Sequence, residues 1–333
     1  MPRLTLPEVR ALAFAALRGS GASEIQAVAT ADSVEAAEAD GIRTVGLGYL
    51  PTYCEHLRCG KVKGDARPSS RLARPGLVLS DAALGFCHPA FIEAKPAFLA
   101  AAKSQGTAAL LIGRSYSAGV VAWFVEQLAD AGLVALAFAN ASPSVAPWGG
   151  SRPFFGTNPL AFAAPRAGRP PLVIDQATSQ VAWVTIRDHA ERDLPVPPTW
   201  GYDAAGTPTE DPQAIMDGGS LAPHGGYKGF ALGLMVDILA AGLVGAHWSF
   251  QSSGFGDNEG GPPAVGQCFI AIDPTAFGDG GFGDRLEIML AALLAQPGVR
   301  LPGERRLLHR EKAAAEGVEV PGELLARLRA YAG

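Results

Sequence analysis

The chain has 333 residues, of which 48% are hydrophobic and 18% are charged, so it is long enough to bury a sizeable core. Its formal net charge is -5 at pH 7, and its isoelectric point is about 5.7. This balance argues against binding to nucleic acid or to an anionic membrane, because both require a cationic surface. A small-molecule substrate is therefore the expected partner.

Cysteine usage and the apolar stretches bear on the cellular compartment. The four cysteines include no Cys-x-x-Cys pair and have neither metal-ligand nor disulfide-framework spacing. The N-terminus enters an amphipathic pattern without a hydrophobic leader, and the longest apolar stretch, 230–244, is interrupted by Asp237 and by glycines. We expect a cytoplasmic protein with no metal and no membrane span, in which 230–244 forms a buried helix.

The first 60 residues have the pattern of a helical arm. Thr5 to Glu8 is a capping box and predicts a helix through about Leu17. The same device recurs at 23–26, before an Ala-rich helix that runs to about Asp40. The charged, Arg-rich segment 304–332 also predicts helix, and its charges are typical of a solvated face.

The middle of the chain alternates apolar runs with glycine and proline. A helix is predicted over 89–105, and a polar loop over 113–119 is expected to border a site. The clearest predicted strands cover 77–79, 107–112, 133–139, 160–164, 172–175 and 268–272. Glycine-rich turns between them expose backbone N–H groups that can cradle a pyrophosphate. The pattern therefore predicts an α/β protein.

Common catalytic motifs are absent from the sequence. No strand is followed by Gly-x-Gly-x-x-Gly, no P-loop is present, and the six histidines form no His-Glu-x-x-His pair. Two turns remain of interest. Residues 175–179 close a strand with side chains that could bind ribose or phosphate, and Lys228 lies in a glycine-flanked turn. Turn and cap chemistry explains these residues equally well.

Several of these turns together carry a resemblance to a known family. In chain order the signatures are Asp-Gly-Ile-Arg-Thr-Val-Gly at 40–46, Leu-Pro-Thr-Tyr at 50–53, Gly-Thr-Asn-Pro at 156–159, Asp-Gln-Ala-Thr-Ser at 175–179, the run 202–212, Gly-Gly-Tyr-Lys-Gly at 225–229 and Leu-Pro-Gly-Glu-Arg at 301–305. Their order and spacing resemble the malate/L-lactate dehydrogenase superfamily. That family includes malate, lactate and sulfolactate dehydrogenases, and reductases of cyclic ketimines such as piperideine-2-carboxylate and pyrroline-2-carboxylate.

The resemblance implies a two-lobed homodimer with a glycine-rich, non-Rossmann nicotinamide-binding domain. We expect that domain over 118–298, and a second lobe for dimerisation and substrate binding built from 1–117 and 299–333. Carried over position by position, the cofactor contacts fall on a set of loop and turn residues: Ser117, Ala118, Gly119, Val120, Val121, Thr157, Asp175, Gln176, Ala177, His224, Gly225, Lys228, Arg300 and Arg305. Because the two arginines suit a 2′-phosphate, NADPH is favoured and NADH is kept open.

The sequence departs from this family where the family holds its proton donor. The enzymes that it resembles usually carry Ser-His-Gly in the first signature, an arginine four residues after that histidine, and an acid later in the chain. These positions here are Thr44, Val45, Tyr49 and Val184. Valine cannot donate a proton, and tyrosine cannot clamp a carboxylate with two charged bonds. The usual 2-keto-acid chemistry is therefore placed in doubt.

Three hypotheses follow from this loss. A cyclic imine that arrives protonated would need only hydride and a positioned pocket. Alternatively another group supplies the proton, and the candidates are Tyr49, which leads, Tyr116, His88 and His224, with Thr44 beside them. In the third hypothesis the fold binds cofactor but performs non-redox or regulatory work. Val45, Tyr49 and Val184 would make the substrate pocket more apolar under any of the three.

Overall fold

The computed structural model describes residues 1–278 and 280–333. The strands are β1 Arg3–Leu4, β2 Ser69–Arg74, β3 Leu77–Asp81, β4 Thr107–Ser115, β5 Val134–Ala139, β6 Leu160–Arg166, β7 Arg169–Gln176, β8 Gly201–Tyr202, β9 Ser220–Leu221, β10 Val265–Ile272 and β11 Val318–Glu319. The helices are α1 Leu6–Gly19, α2 Glu24–Ala39, α3 Leu50–Arg58, α4 Cys87–Gln105, α5 Ala122–Asp130, α6 Trp183–Glu191, α7 Pro212–Met216, α8 Tyr227–Asp237, α9 Phe282–Leu294, α10 Glu304–Glu316 and α11 Gly322–Ala332.

A mixed sheet forms the centre of the described structure, with the strand order β2-β3-β4-β10-β5-β6-β7. Only the β3–β4 pair in this sheet is parallel, and the other neighbours are antiparallel. A Rossmann sheet is parallel, so the absence of the Gly-x-Gly-x-x-Gly fingerprint and the topology agree. The sheet includes strands from both sides of position 117, and the division into two lobes stays a prediction.

Strand β4 shows how alternation builds the core. Leu110 and Ile112 face a large cluster beneath α4 and α5, whereas Leu111 faces a cluster that includes Val236 of α8. Successive side chains of a strand point to opposite faces, so a strand covered on both sides must be apolar throughout. This explains why the run 107–112 reads as a buried strand.

The predicted helical arm is a packed helical layer. The Thr5 capping box is present, since Glu8 N–H donates to Thr5 Oγ1 at 3.4 Å and Thr5 N–H donates to Glu8 Oε2 at 2.7 Å. Helices α1, α2, α3 and α11 share one hydrophobic cluster, which also takes in the ring of Tyr116. Through Tyr116 the helical layer meets the end of β4.

Three sequence-based expectations need correction. The loop predicted from Gly113 begins only after Ser115, because β10 pairs with β4 as far as Val265 opposite Ser115. The stretch 230–244 is not one buried helix: α8 passes into a π-helical turn over 238–242, and several of its large side chains are exposed, namely Leu234, Met235, Ile238 and Leu243. The solvated-face interpretation of 304–332 is wrong for two arginines, described next.

Helix α10 is held to the body by a cluster of four charges. Arg310 donates to both oxygens of Glu126 at 2.6 Å and also pairs with Asp40, while Arg306 lies 3.5 Å from each carboxylate. The side chains of Asp40 and Glu126 are only 3% and 12% exposed. The charges on this face of α10 therefore point inward.

Candidate active site

The segment 40–49, where the resemblance places the family's proton donor, is a series of tight turns between α2 and α3. The buried carboxylate of Glu38 accepts the Leu47 N–H at 2.7 Å and organises these turns. A β-carbon at Gly46 would lie 2.5 Å from Glu38 Oε1, so a larger residue there would push this carboxylate away from the Leu47 N–H. Val45 packs against the large hydrophobic cluster beneath α4 and α5. Tyr49 packs against the hydrophobic cluster that α1, α2, α3 and α11 share. The segment thus lies where the two cores meet.

Gly119 marks the centre of the site. Its φ is +62°, and a β-carbon there would lie 3.2 Å from Tyr53 Oη, 3.7 Å from Val45 Cγ1 and 3.8 Å from His88 Nε2. The three side chains come from three separate segments of the chain and converge on the glycine-containing loop 117–121. The structure therefore brings Val45 and His88 to the loop that the resemblance assigns to the cofactor.

His88 is fully buried within the described structure. Its ring stacks on Phe124 at 5.2 Å between centroids and meets Trp123 edge-on. No described group meets hydrogen-bond geometry with either ring nitrogen. Burial lowers the pKa of His88 to about 4, opposed by the Ala118 backbone, so the ring is neutral at pH 7. A buried polar ring without a partner is costly unless a bound molecule satisfies it.

Tyr49 belongs to a cluster of aromatic rings. The Tyr49 ring lies edge-on to Tyr53 with 5.0 Å between centroids, Tyr53 lies edge-on to Tyr116 at 5.9 Å, and Tyr116 to Phe255 at 5.1 Å. Burial raises the pKa of Tyr49 to about 12, with the Tyr116 hydroxyl opposing the rise as a hydrogen-bond partner and Arg187 by its charge. Tyr49 is therefore a neutral phenol that retains its proton.

His56 belongs to this cluster, although the sequence analysis did not single it out. Its Nδ1 lies 2.5 Å from the Tyr116 hydroxyl and its Nε2 lies 2.8 Å from the Asp257 carbonyl oxygen. The signal available in the sequence is spacing: Tyr49, Tyr53 and His56 stand at i, i+4 and i+7, which puts them on one face of α3 and its approach.

A buried lysine fixes the loop that covers these rings. Lys61 is 1% exposed and donates from Nζ to the Gly254 carbonyl at 2.6 Å and to the Asp257 carbonyl at 2.7 Å, and it pairs with the Asp257 carboxylate at 3.0 Å. Phe255, between these two anchor points, packs on Tyr116, and its carbonyl accepts a long bond of 3.5 Å from Tyr49. The contacts of Lys61 and Phe255 thus hold this loop against the aromatic rings.

The remaining predicted cofactor residues form a second group of loops. The Thr157 carbonyl accepts the N–H of Thr178 at 2.9 Å, and the Thr178 carbonyl accepts the N–H of His224, which links three predicted turns side by side. Gly225 and Gly226 have φ of +59° and +66° directly before α8, and Gly225 faces open space. Exposed glycine N–H groups at a helix N-terminus are suited to phosphate.

The other predicted cofactor residues differ in their exposure and in whether their polar groups already have partners. The carboxylate of Asp175 accepts the Ala122 N–H at 2.8 Å, at the start of α5. The side chains of Ala118, Val120 and Val121 are buried, which leaves only backbone groups to face a ligand. Gln176, Lys228, Arg300 and Arg305 are exposed, and none of these four has an ion pair among the described residues. Ala177 and Ser117 are partly exposed.

The loops fit a nicotinamide dinucleotide. N–H groups suited to phosphate, a polar strand end at Gln176, arginines without an ion pair in the 299–305 segment and the convergence of three side chains at Gly119 are all present among the described residues. The 299–305 segment docks beside β7, since a β-carbon at Gly303 would lie 3.1 Å from the Val173 carbonyl oxygen and Leu301 packs against Leu172. The arginines therefore flank the strand that ends in the predicted ribose contacts.

Val184 and Thr44 occupy less central positions. Val184 is half-buried in the first turn of α6, and Arg187 follows it at i+3 on the same helix face. Arg187 lines a cavity of about 550 Å³ together with Thr44 and His56, but Val45 and Tyr49 are not in its lining. Gly119 is likewise absent from the lining of this cavity.

Within residues 1–278 and 280–333, no helix is long and apolar enough to cross a membrane. The same residues contain no group of three or more His, Cys, Asp or Glu side chains placed to hold a metal ion.

Comparison with models of protein families identifies the family of this chain. The model of the malate/L-lactate dehydrogenase family matches residues 4–329, which is nearly the whole chain. The chain belongs to the malate/L-lactate dehydrogenase family. The resemblance inferred from the turn signatures is confirmed, and with it a nicotinamide-dependent oxidoreductase on a non-Rossmann α/β fold.

Individual relatives extend over the full length of the chain. A (2R)-3-sulfolactate dehydrogenase (NADP(+)) of Chromohalobacter salexigens is 43% identical over 99% of this chain and 98% of its own length. A Δ1-pyrroline-2-carboxylate reductase of Ancylobacter novellus is 40% identical over 98% of this chain and 97% of its own. The crystal structure of Δ1-piperideine-2-carboxylate reductase from Pseudomonas syringae superposes with a TM-score of 0.95 at 37% identity, covering 99% of this chain and all of that one.

Proposed function

We propose that the chain is an NADPH-dependent reductase of carbon–nitrogen double bonds in cyclic imines that carry a carboxylate. The observation that carries the proposal is the set of groups around Gly119, which are Val45, the phenol of Tyr53 and the neutral imidazole of His88. None of these is a charged acid. Such surroundings suit an electrophile that needs little help beyond positioning.

The chain's residues have separate tasks in this proposal. NADPH, when bound, supplies the hydride. The backbone of 117–121 and the turns at 157, 175–177 and 224–225 bind and orient it, and the Lys61-anchored loop excludes water from the rings. Tyr49 retains its proton at neutral pH, and we assign it as the donor when the substrate arrives unprotonated.

Arg187 is the group that we assign to the substrate carboxylate. The family's usual arginine position is Tyr49 here, and the charge of Arg187 already acts on the Tyr49 hydroxyl. Its nearest ion-pair partner in the described structure, Glu191, is 3.8 Å away and 69% exposed, so the guanidinium is available to a ligand. A carboxylate is the natural partner of a planar guanidinium.

Two alternatives have weaker support. A 2-hydroxy-acid dehydrogenase with a substitute donor is in keeping with the sulfolactate relative, but it must protonate a ketone oxygen from a phenol of high pKa. A cofactor-binding protein without redox activity is disfavoured, because the full-length relatives named above are reductases and dehydrogenases.

A substrate panel tests the proposed function. Purified protein with NADPH is expected to reduce Δ1-pyrroline-2-carboxylate or Δ1-piperideine-2-carboxylate with a kcat/KM at least tenfold above that for pyruvate or oxaloacetate. The same imines without the carboxylate should have a higher KM because Arg187 loses its partner. Equal rates on oxaloacetate and on the cyclic imines would contradict the imine assignment, and no turnover on any member would favour the binding-only alternative.

The preference for NADPH rests on Arg300 and Arg305. Replacing either arginine with alanine is expected to weaken NADPH binding about tenfold, because each charged contact to a phosphate is worth roughly 1.4 kcal/mol. NADH, which lacks the 2′-phosphate, should bind the variants and the wild type alike. Fluorescence titration of both cofactors measures this, with Arg192→Ala as a matched surface control. A parallel loss of NADH affinity would rule out the 2′-phosphate role.

We also propose a cytoplasmic homodimer with the two lobes given above. The packing of α11 and α10 onto α1 and α2 supports a lobe built from both ends of the chain. The exposed apolar side chains of α8 and its π-helical turn are in keeping with a covered surface.

A further inference from the structure

The turn 156–158, which contains the predicted cofactor residue Thr157, ends in an asparagine with an unusual backbone conformation. Asn158 has a φ of +35°, in the left-handed region that few residues other than glycine adopt, and its side chain is fully buried. Such a conformation costs free energy and persists only where the surrounding structure fixes it, often at a ligand site. The hydrogen bonds of the Asn158 amide fix it here.

Two backbone groups from separate segments determine the orientation of this amide. Its Oδ1 accepts the N–H of Ala141, just after β5, at 3.2 Å, and its Nδ2 donates to the carbonyl of Gly233, inside α8, at 3.0 Å. An N–H can only donate and a carbonyl can only accept, so the reversed amide would lose both bonds. Asn158 therefore joins its turn to the end of β5 and to α8.

A buried polar network encloses the other side of Asn158. The Ser249 hydroxyl lies 3.2 Å from Asn158 Oδ1 and 3.0 Å from the Asp237 carboxylate, which also accepts the Asn140 amide at 3.0 Å. All four side chains belong to residues that are at most 2% exposed. Removal of one member of such a network leaves buried polar groups without partners.

The predicted cofactor turns and α8 form a closed ring of contacts. The Thr157 carbonyl accepts both the N–H and the hydroxyl of Thr178, at 2.9 and 3.1 Å, and the Thr178 carbonyl accepts the N–H of His224, just before α8. Thr178 also contacts α8 at Gly233, where a β-carbon would lie 3.2 Å from Thr178 Oγ1. Asn158 bonds the carbonyl of that same glycine and so closes the ring.

We propose that Asn158 is a positioning residue for NADPH, which holds the turn of Thr157 at a fixed place relative to the N-terminus of α8. The inference rests on the proposed function, in which the turns at 157 and 224–225 bind the cofactor. Asn158 is buried and acts through Thr157, whose side chain is partly exposed. A site that is already ordered binds its ligand more tightly, because less conformational freedom is lost on binding.

Asn158→Gly removes the amide without adding backbone strain, since glycine adopts positive φ freely. The Kd for NADPH, measured by fluorescence titration, is expected to rise about tenfold, because the turn and α8 are no longer held in place before binding. The Kd for NADH should rise by a similar factor, because the two cofactors share the groups that these turns bind. At saturating NADPH, kcat for a cyclic imine should stay within about twofold of the wild type, because contacts made equally in the ground and transition states affect KM alone.

Gln26→Ala is the matched control for loss of a buried amide. Gln26 is fully buried in α2 and also bridges two backbone groups, the Ala66 carbonyl at 2.9 Å and the Phe86 N–H at 2.8 Å. Its removal should lower the free energy of unfolding, as Asn158→Gly does, because both leave buried backbone groups unpaired. The Kd for both cofactors should stay unchanged in this control.

Thr178→Val tests the same ring of contacts at a second point, and it decides the question by itself where Asn158→Gly does not fold. The valine retains the shape of the side chain and loses its bond to the Thr157 carbonyl, so the Kd for NADPH should again rise while kcat at saturation is retained. An unchanged Kd in these two variants, or an equal rise in Gln26→Ala, would overturn the positioning role and leave the reductase intact. Failure of the wild-type protein to bind NADPH would overturn the proposed function and this inference together.

Discussion

Tyr49→Phe is expected to lower kcat for a cyclic imine at least tenfold while the Kd for NADPH stays unchanged. The substitution removes one oxygen and retains the ring contacts with Tyr53 that place it. General acid groups contribute about 10²- to 10⁴-fold to rate in enzymes, so the loss of the donor should be large even where water substitutes in part. The raised pKa of Tyr49 means that the proton is present throughout the neutral range.

Steady-state kinetics measures this effect with two substrates, a cyclic imine and its N-methyl iminium counterpart, which is permanently charged and needs only hydride. Fluorescence titration measures the affinity for the cofactor. Tyr202→Phe removes the same atom from the small sheet of β8 and β9 and serves as the matched control. An unaltered rate on the imine would remove Tyr49 as donor and would favour a substrate that arrives already protonated. A loss on both substrates alike would indicate a packing role instead.

Arg310→Met is expected to lower the free energy of unfolding by about 2–3 kcal/mol. The substitution leaves the buried carboxylates of Asp40 and Glu126 with Arg306 alone, at 3.5 Å from each. Removing one partner of a buried charge cluster costs more than the cluster contributes, because the remaining charges stay desolvated. Helix α10 and the adjoining 299–305 segment should loosen with it.

Urea unfolding followed by circular dichroism measures the change. Arg192→Met breaks an exposed pair with Asp188, 63% and 51% exposed, and should change stability by less than about 0.5 kcal/mol. Burial raises the pKa of Asp40 above its unfolded value, so its charge destabilises the fold above that pKa and the penalty is lost as pH falls. The difference in the free energy of unfolding between Arg310→Met and the wild type should therefore decrease as the pH falls. An increase in this difference on acidification would contradict the charge-cluster explanation.

Local signals in the sequence were enough for much of the fold. The Thr5 capping box and the strand at 107–112 depend on residues within a few positions of one another, and the structure confirms both. The incorrect predictions occur where contacts between segments that are distant in the sequence determine the structure. Pairing with β10 extends β4 to Ser115, and Asp40 and Glu126 turn two arginines of α10 inward. No local pattern contains those partners.

The functional site shows the same contrast between local sequence signals and contacts with distant segments. The predicted cofactor turns are each a short signature, and the structure links 157, 178 and 224 side by side. His56 was missed because its partners, Tyr116 and the Asp257 carbonyl, are 60 and 201 residues away. Arg187 was missed because its relation to Tyr49 depends on how α6 packs.

The sequence by itself was enough to recognise the family, and it predicts the turns suited to a nicotinamide cofactor and places Val45 and Tyr49 where the family usually has a histidine and an arginine. Only the tertiary structure decided what surrounds that replacement: an unpartnered His88 and Tyr53 at Gly119, and His56 behind Tyr116. The physical reason is that turn chemistry is local to the backbone, whereas desolvation and hydrogen-bond direction depend on every segment that packs around a group.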